Sequence, residues 1–126
     1  MSVSIVIKRA YEDPSPADGY RVLVDRIWPR GKRKEALALD QWAKELGPST
    51  VLRQWFGHDP QRWEEFRERY RRELDTPQAR ELLASLLHSA GRGPLTLVYS
   101  ARDEQHNQAI VLRELLLSLR HPDPVK

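Results

Sequence analysis

The most constraining feature is a set of three short apolar runs that do not alternate. They are residues 3–8 (VSIVIK), 20–25 (YRVLVD) and 95–99 (LTLVY). A strand with one wet face alternates apolar and polar residues, whereas a strand covered on both faces reads as a continuous β-branched run. Between the second and third runs lie helical patterns. Strands separated by helices predict an α/β fold with a small, mainly parallel sheet of about three strands and helices packed on it. The link between the first two runs is only about 11 residues, short for a crossover, so antiparallel pairing of those two strands is the alternative. The full length of 126 residues fits one domain, 1–126, with a frayed tail at 120–126.

Turn and cap signals divide the middle of the chain. Residues 40–46 read as a short helix ended by Gly47-Pro48. Ser49 caps a helix running to Phe56. Asp59 stands at an N-cap with Pro60 behind it, and Trp63, Phe66, Tyr70 and Leu74 then form an apolar stripe. Thr76-Pro77 repeats the cap-plus-proline start of a helix that ends at Gly91. The last helix is expected from Glu104 to about Leu119.

Composition narrows the function classes. There is no cysteine, which excludes disulfides, thiolate catalysis, zinc fingers and iron–sulfur clusters. No apolar run approaches the roughly 18 residues of a membrane span, so no membrane partner is expected. The start, MSVSIVIKRAYED, has no basic leader and no small-residue cleavage site, so it does not read as a secretory signal, and a cytoplasmic location is expected. With no H-E-x-x-H, no P-loop and no G-x-G-x-x-G, neither a metal nor a cofactor is expected. The net charge is +3, yet Arg26, Arg30, Lys32, Arg33 and Lys34 carry +5 within nine residues, leaving −2 for the rest. That run is either a solvated loop or a binding lip.

In open α/β sheets, ligands bind beyond the carboxyl ends of the strands. If the 20–25 and 95–99 strands are parallel neighbours, their exits face each other and gather Asp25, Arg26, Arg30, Arg102, His106 and Asn107 at one crevice. Free N–H groups at a strand-to-helix junction attract anions, although Asp103 and Glu104 at that junction also fit capping roles. Arg26, Arg30 and Arg102 are expected to bind an anionic small ligand, phosphate-bearing ones included. His106 is the acid/base candidate, Asp25 the second catalytic candidate, Asn107 a hydrogen-bonding group and Trp28 a pocket wall. Asp25 ends an apolar strand and needs a partner, with Arg26, Arg30 or Arg102 in reach. His58, beside Asp59, forms a further candidate pair, but the turn alone accounts for Gly57, Asp59 and Pro60. A different use of the 26–34 loop is binding to nucleic acid or another protein. The near-neutral helix from Gln61 to Leu74 is a poor fit to a phosphate backbone.

Several of these segments occur together elsewhere. The stretch from Tyr20 to Gly31 (YRVLVDRIWPRG), Leu39-Asp40 with Trp42, Pro48-Ser49-Thr50, Phe56-Gly57-His58, and the stretch from Leu97 to Arg102 with Asn107 resemble the YeaO-like branch of the bacterial family known as domain of unknown function 488. The D-R-x-W-P-R-G segment is its most specific part, and the resemblance covers nearly the whole chain. It implies a small cytoplasmic α/β protein with parallel pairing of the first two strands, and it implies no particular activity. Wider members resemble this chain in setting an Asp–Arg strand end opposite a C-terminal strand–loop–helix that often carries a Cys-His-Arg element. This chain departs there, with no Cys and with His106-Asn107 instead, so the resemblance implies no thiol-dependent role for it.

Overall fold

Four strands form the sheet of a computed structural model that describes residues 4–120. They are Ile5–Arg9 (β1), Tyr20–Leu23 (β2), Gln41–Trp42 (β3) and Leu95–Tyr99 (β4). The helices are Lys34–Leu37 (α1), Thr50–Phe56 (α2), Trp63–Glu73 (α3), Pro77–Ala90 (α4) and Gln108–Arg120 (α5). The tail expected to fray lies, beyond Arg120, outside the described residues.

All pairings are parallel, in the order β1-β4-β2-β3. The two strands that matter most for the site are neighbours, in register from Tyr20↔Leu95 to Leu23↔Val98. The first two strands do not pair, which corrects both orientations considered for them: β4 lies between them. The short link is then no obstacle. Residues 10–19 can reach about 33 Å when extended, enough to return along one strand and step across another. The link is held at its ends by Ala10 N–H on the Tyr99 carbonyl (2.6 Å) and Tyr20 N–H on the Pro94 carbonyl (2.9 Å). Gly19, at φ +65°, sits there because a Cβ would meet the Pro94 carbonyl oxygen at 2.3 Å.

The expected helix at 40–46 is also corrected. Gln41–Trp42 is an edge strand, and only Lys44–Leu46 forms a single 3-10 turn. Pairing with β2 overrides the local helical pattern: Asp40 N–H donates to the Arg21 carbonyl (2.9 Å), Ala43 N–H donates to the Leu23 carbonyl (2.9 Å), and the Asp40 carboxylate accepts from Arg21 N–H (2.8 Å). The other caps are as the sequence indicates. Ser49 accepts from Leu52 N–H, Asp59 from Gln61 N–H and Thr76 from Ala79 N–H.

In β2 and β4 the absence of alternation follows from two-sided burial, whereas β1 is an edge strand whose Val6 is exposed, which corrects the expectation for the first run. Val22, Val24, Leu95, Leu97 and Tyr99 face a core built with Phe66, Tyr70, Leu86, Leu112 and Leu116 from the larger helices. Leu23 and Val98 face the opposite side, where Ala10, Leu37, Trp28 and Leu39 cover them. That second layer also holds a buried polar island. Arg21 donates to Asp18 (2.7 Å) and twice to the Leu37 carbonyl (3.0 and 2.8 Å), and Thr96 donates to the Asp18 carbonyl (2.7 Å). Arg21 thus ties the segment that follows the basic loop to the middle of the sheet.

Candidate functional site

Because β2 and β4 run side by side, their exits do share one hollow. It is a crevice of about 650 Å³. The loop after β2 supplies one wall with Asp25, Trp28 and Arg30, and the loop after β4 supplies another with Ser100, Arg102, His106 and Asn107. Helix α2 and the turn after it add Arg53, Phe56 and His58. Of the residues expected from sequence, the structure gathers Asp25, Trp28, Arg30, Arg102, His106 and Asn107. Arg26 is not among them. Its guanidinium turns to the Pro48 carbonyl (Nε, 3.0 Å) and the Gly47 carbonyl (Nη2, 2.6 Å), where it braces the turn before α2.

Asp25 is 7% exposed. Its partners are not the arginines expected. Oδ2 accepts from Ser100 N–H (2.9 Å) and from Ser100 Oγ (2.5 Å), while Oδ1 accepts from Gln108 Nε2. Burial raises the Asp25 carboxyl above the ordinary aspartate range, and the bonds from Ser100 and Gln108, with the nearby Arg53 charge, only partly offset it. Asp25 therefore joins the ends of β2 and β4 to the start of α5.

The junction before α5 also differs from expectation. The helix starts at Gln108 rather than Glu104. Asp103 accepts from Gln105 N–H (2.9 Å) and His106 N–H (3.1 Å), folding the chain into a turn stabilised by its side chain. Asn107, 2% exposed, is the cap: Oδ1 accepts from Ile110 N–H (3.2 Å) and Nδ2 donates to the Asp103 carbonyl (2.9 Å). These bonds occupy N–H groups that the sequence had suggested for an anion. Arg102 stays exposed on the wall.

His106 Nδ1 lies 2.8 Å from Asp103 Oδ2, and the imidazole packs edge-on against Trp63 with centroids 5.4 Å apart. The bonds from Gln105 and His106 outweigh slight burial and hold Asp103 below the usual carboxylate range. His58 lies in the left-handed region (φ +59°), a conformation uncommon outside glycine, and it lines the same crevice. Gly31, at φ +78° with open space around it, serves the turn of the lip rather than a close approach.

Sequence reasoning missed Arg53, Ser100 and Gln108. Ser100 is the polar residue immediately after a fully buried strand, a signal that could have found it. Gln108 follows the Asn107 cap by one position. Arg53 carries no such mark. Its Nε is buried with no hydrogen-bond partner among the described residues. None of the ion pairs among the described residues involves Arg30, Arg53 or Arg102. Among the described residues, no group of His, Asp and Glu is placed to hold a metal ion, and no helix is long and apolar enough to cross a membrane.

The chain is similar to the uncharacterized protein YeaO of Escherichia coli, 46% identical over 118 residues, which are 93% of this chain and 100% of that protein. It is also similar to the uncharacterized protein Rv3073c of Mycobacterium tuberculosis, 44% identical over 110 residues, which are 87% of this chain and 91% of that protein. No solved structure matches. The family model described as the inactive DUF488-N3 subclade matches residues 4–123, and the chain therefore belongs to the DUF488 family, within that subclade.

Proposed function

We propose that the crevice binds a small, oxygen-rich anionic ligand through Arg30, Arg53 and Arg102, without turning it over. The observation that carries this reading is Arg53. Arg53 lines the open crevice, and no ion pair among the described residues matches its charge, so a ligand anion can supply the missing counter-charge. Its buried Nε does not itself mark the site, because Arg67 Nε, away from the crevice, is buried and unpaired too. Charge supports the same reading. Three guanidinium groups line the crevice against two carboxylates. Asp103 is engaged by His106, and Asp25 by Ser100 and Gln108. Planar guanidinium forks match phosphate and carboxylate oxygens.

Binding without turnover is favoured by the subclade's description as inactive; the absence of cysteine adds only that no thiolate chemistry is available. In this reading Asp25 and His106 are positioning groups. Asp25 fixes Ser100 and Gln108, and the Asp103–His106 pair shapes the wall beside Arg102.

The test is thermal unfolding at low ionic strength with and without inorganic phosphate, for wild type and Arg53→Gln. At a hundredfold excess over Kd a ligand contributes about 2.7 kcal/mol. For a chain of this length that raises the midpoint by about 10 °C. The shift should shrink to within about 2 °C in Arg53→Gln. Equal shifts in both proteins would overturn the reading. The alternative, nucleic acid on the exposed lip from Arg30 to Lys34, predicts oligonucleotide binding that weakens steeply with salt and ignores Arg53.

A further inference from the structure

The crevice is too large and too aromatic for a bare anion. Its 650 Å³ compares with roughly 90 Å³ for three water volumes, about the size of a phosphate. It falls in the range of sites for small organic ligands. Two of its arginines come with an aromatic ring from the same element. Arg30 stands two residues after Trp28 on the loop after β2. Arg53 stands three residues before Phe56, on the same face of α2.

The rings are held rigidly. The Trp28 indole donates from Nε1 to the Lys32 carbonyl (2.7 Å) and meets Trp42 edge-on, centroids 5.2 Å apart. Phe56 stacks on Phe66 with centroids 4.4 Å apart and planes 24° from parallel, and Trp63 stacks on Phe66 in turn at 5.7 Å. Phe56 and Phe66 are buried and pack on each other, so they floor the crevice, and Trp28, fixed before binding, is the ring that gives up little freedom when a flat group stacks on it. Three guanidinium groups exceed what a single carboxylate can engage, and suit the three terminal oxygens of a phosphate monoester.

We infer that the ligand is a nucleoside monophosphate, its phosphate held by the arginines and its base stacked in the aromatic part of the crevice beside Trp28. This rests on the anion-binding reading above and narrows it to one ligand class. It also gives Trp28 a role distinct from that of the arginines.

Isothermal titration with AMP, ribose 5-phosphate and inorganic phosphate tests it, using wild type, Trp28→Leu, Trp28→Phe and Arg53→Gln. AMP should bind wild type roughly tenfold to a hundredfold more tightly than ribose 5-phosphate, the worth of one stacked base. Trp28→Leu should abolish that preference while changing ribose 5-phosphate affinity less than about twofold, and Trp28→Phe, which keeps a ring, should retain part of it. Arg53→Gln should weaken all three ligands. If AMP and ribose 5-phosphate bind alike and both depend on Arg53, the nucleotide class is overturned and the anion site stands. If the AMP preference survives Trp28→Leu, the stacking role is overturned. If none of the three binds wild type, both readings fall.

Discussion

Replacing Asp18 with alanine should be among the most damaging single changes outside the apolar core. Asp18 is 8% exposed and Arg21 is 4% exposed. Asp18 accepts from Arg21 (2.7 Å), from Lys8 (3.1 Å) and from Ser15 N–H (2.9 Å). In Asp18→Ala the Lys8 ammonium, whose side chain is 19% exposed, can turn to water. Arg21 cannot. It keeps its bonds to the Leu37 carbonyl but holds an uncompensated charge inside the second layer. Breaking a buried pair in this way costs about 3–5 kcal/mol, a large share of the 5–15 kcal/mol typical of a domain. With an unfolding entropy of about 0.26 kcal/mol/K for this length, the midpoint should fall by about 11–19 °C.

Circular dichroism melts at pH 7 measure this directly. Adding Arg21→Met to Asp18→Ala removes the stranded charge and should recover at least about 1 kcal/mol. The reasoning fails if Asp18→Ala costs less than about 1 kcal/mol, or if the double variant melts lower still. The pH dependence has a defined sign. Burial raises the Asp18 carboxyl, but the bonds from Ser15, Lys8 and Arg21 outweigh it and leave it below its ordinary value of 3.8. Its contribution is therefore present above pH 3.8 and lost as pH falls through the folded-state value. Wild type should approach the stability of Asp18→Ala in that acid range.

Asp25→Asn tests the opposite case. The folded state raises this carboxyl above 3.8, so the contribution of Asp25 is fully present below that pH and is lost as pH rises through the folded-state value. The difference in melting midpoint between the two proteins should shift in favour of Asp25→Asn as pH rises from below 3.8, and parallel curves would contradict the account. Tyr70 is fully buried, and its hydroxyl donates to the Leu46 carbonyl at the end of the 3-10 turn. Tyr70→Phe leaves that carbonyl unpaired and should cost about 1–3 kcal/mol in urea unfolding, a loss that an unchanged midpoint would refute.

The strands of the sheet's middle were legible because burial on both faces is a local pattern, and the place of the crevice followed from the condition that these two strands be parallel neighbours, which they are. Residues 20–25 and 95–99 lack strict alternation, as two-sided burial allows, even with Arg21 and Thr96 among them, and Asp25 and Ser100 stand at their exits. The caps at Ser49, Asp59 and Thr76 were legible for the same reason, since a cap is a short-range bond. What escaped depends on partners distant in the chain. Gln41–Trp42 became a strand only because Arg21 and Leu23 offered it backbone groups. Arg26 looked identical to Arg30 in sequence, and only the position of the Gly47 and Pro48 carbonyls turned it out of the crevice. Asp25 drew Ser100 and Gln108 rather than an arginine, a choice fixed by the register of β2 on β4. Arg53 could not be picked out because nothing in its own helix marks a guanidinium left without an acceptor.

The strand at the sheet's centre, β4, is almost the last element of the chain to be made. Until it arrives, β1 and β2 have no shared neighbour, and Asp25 has neither Ser100 nor Gln108 to receive it. The pocket thus cannot mature progressively during synthesis: it comes into being when residues 95–108 insert between segments made long before. Such distant pairings are closed late and slowly, and a nascent chain stopped before Leu95 would carry Trp28, Arg30 and Arg53 without the wall that residues 100–108 place opposite them.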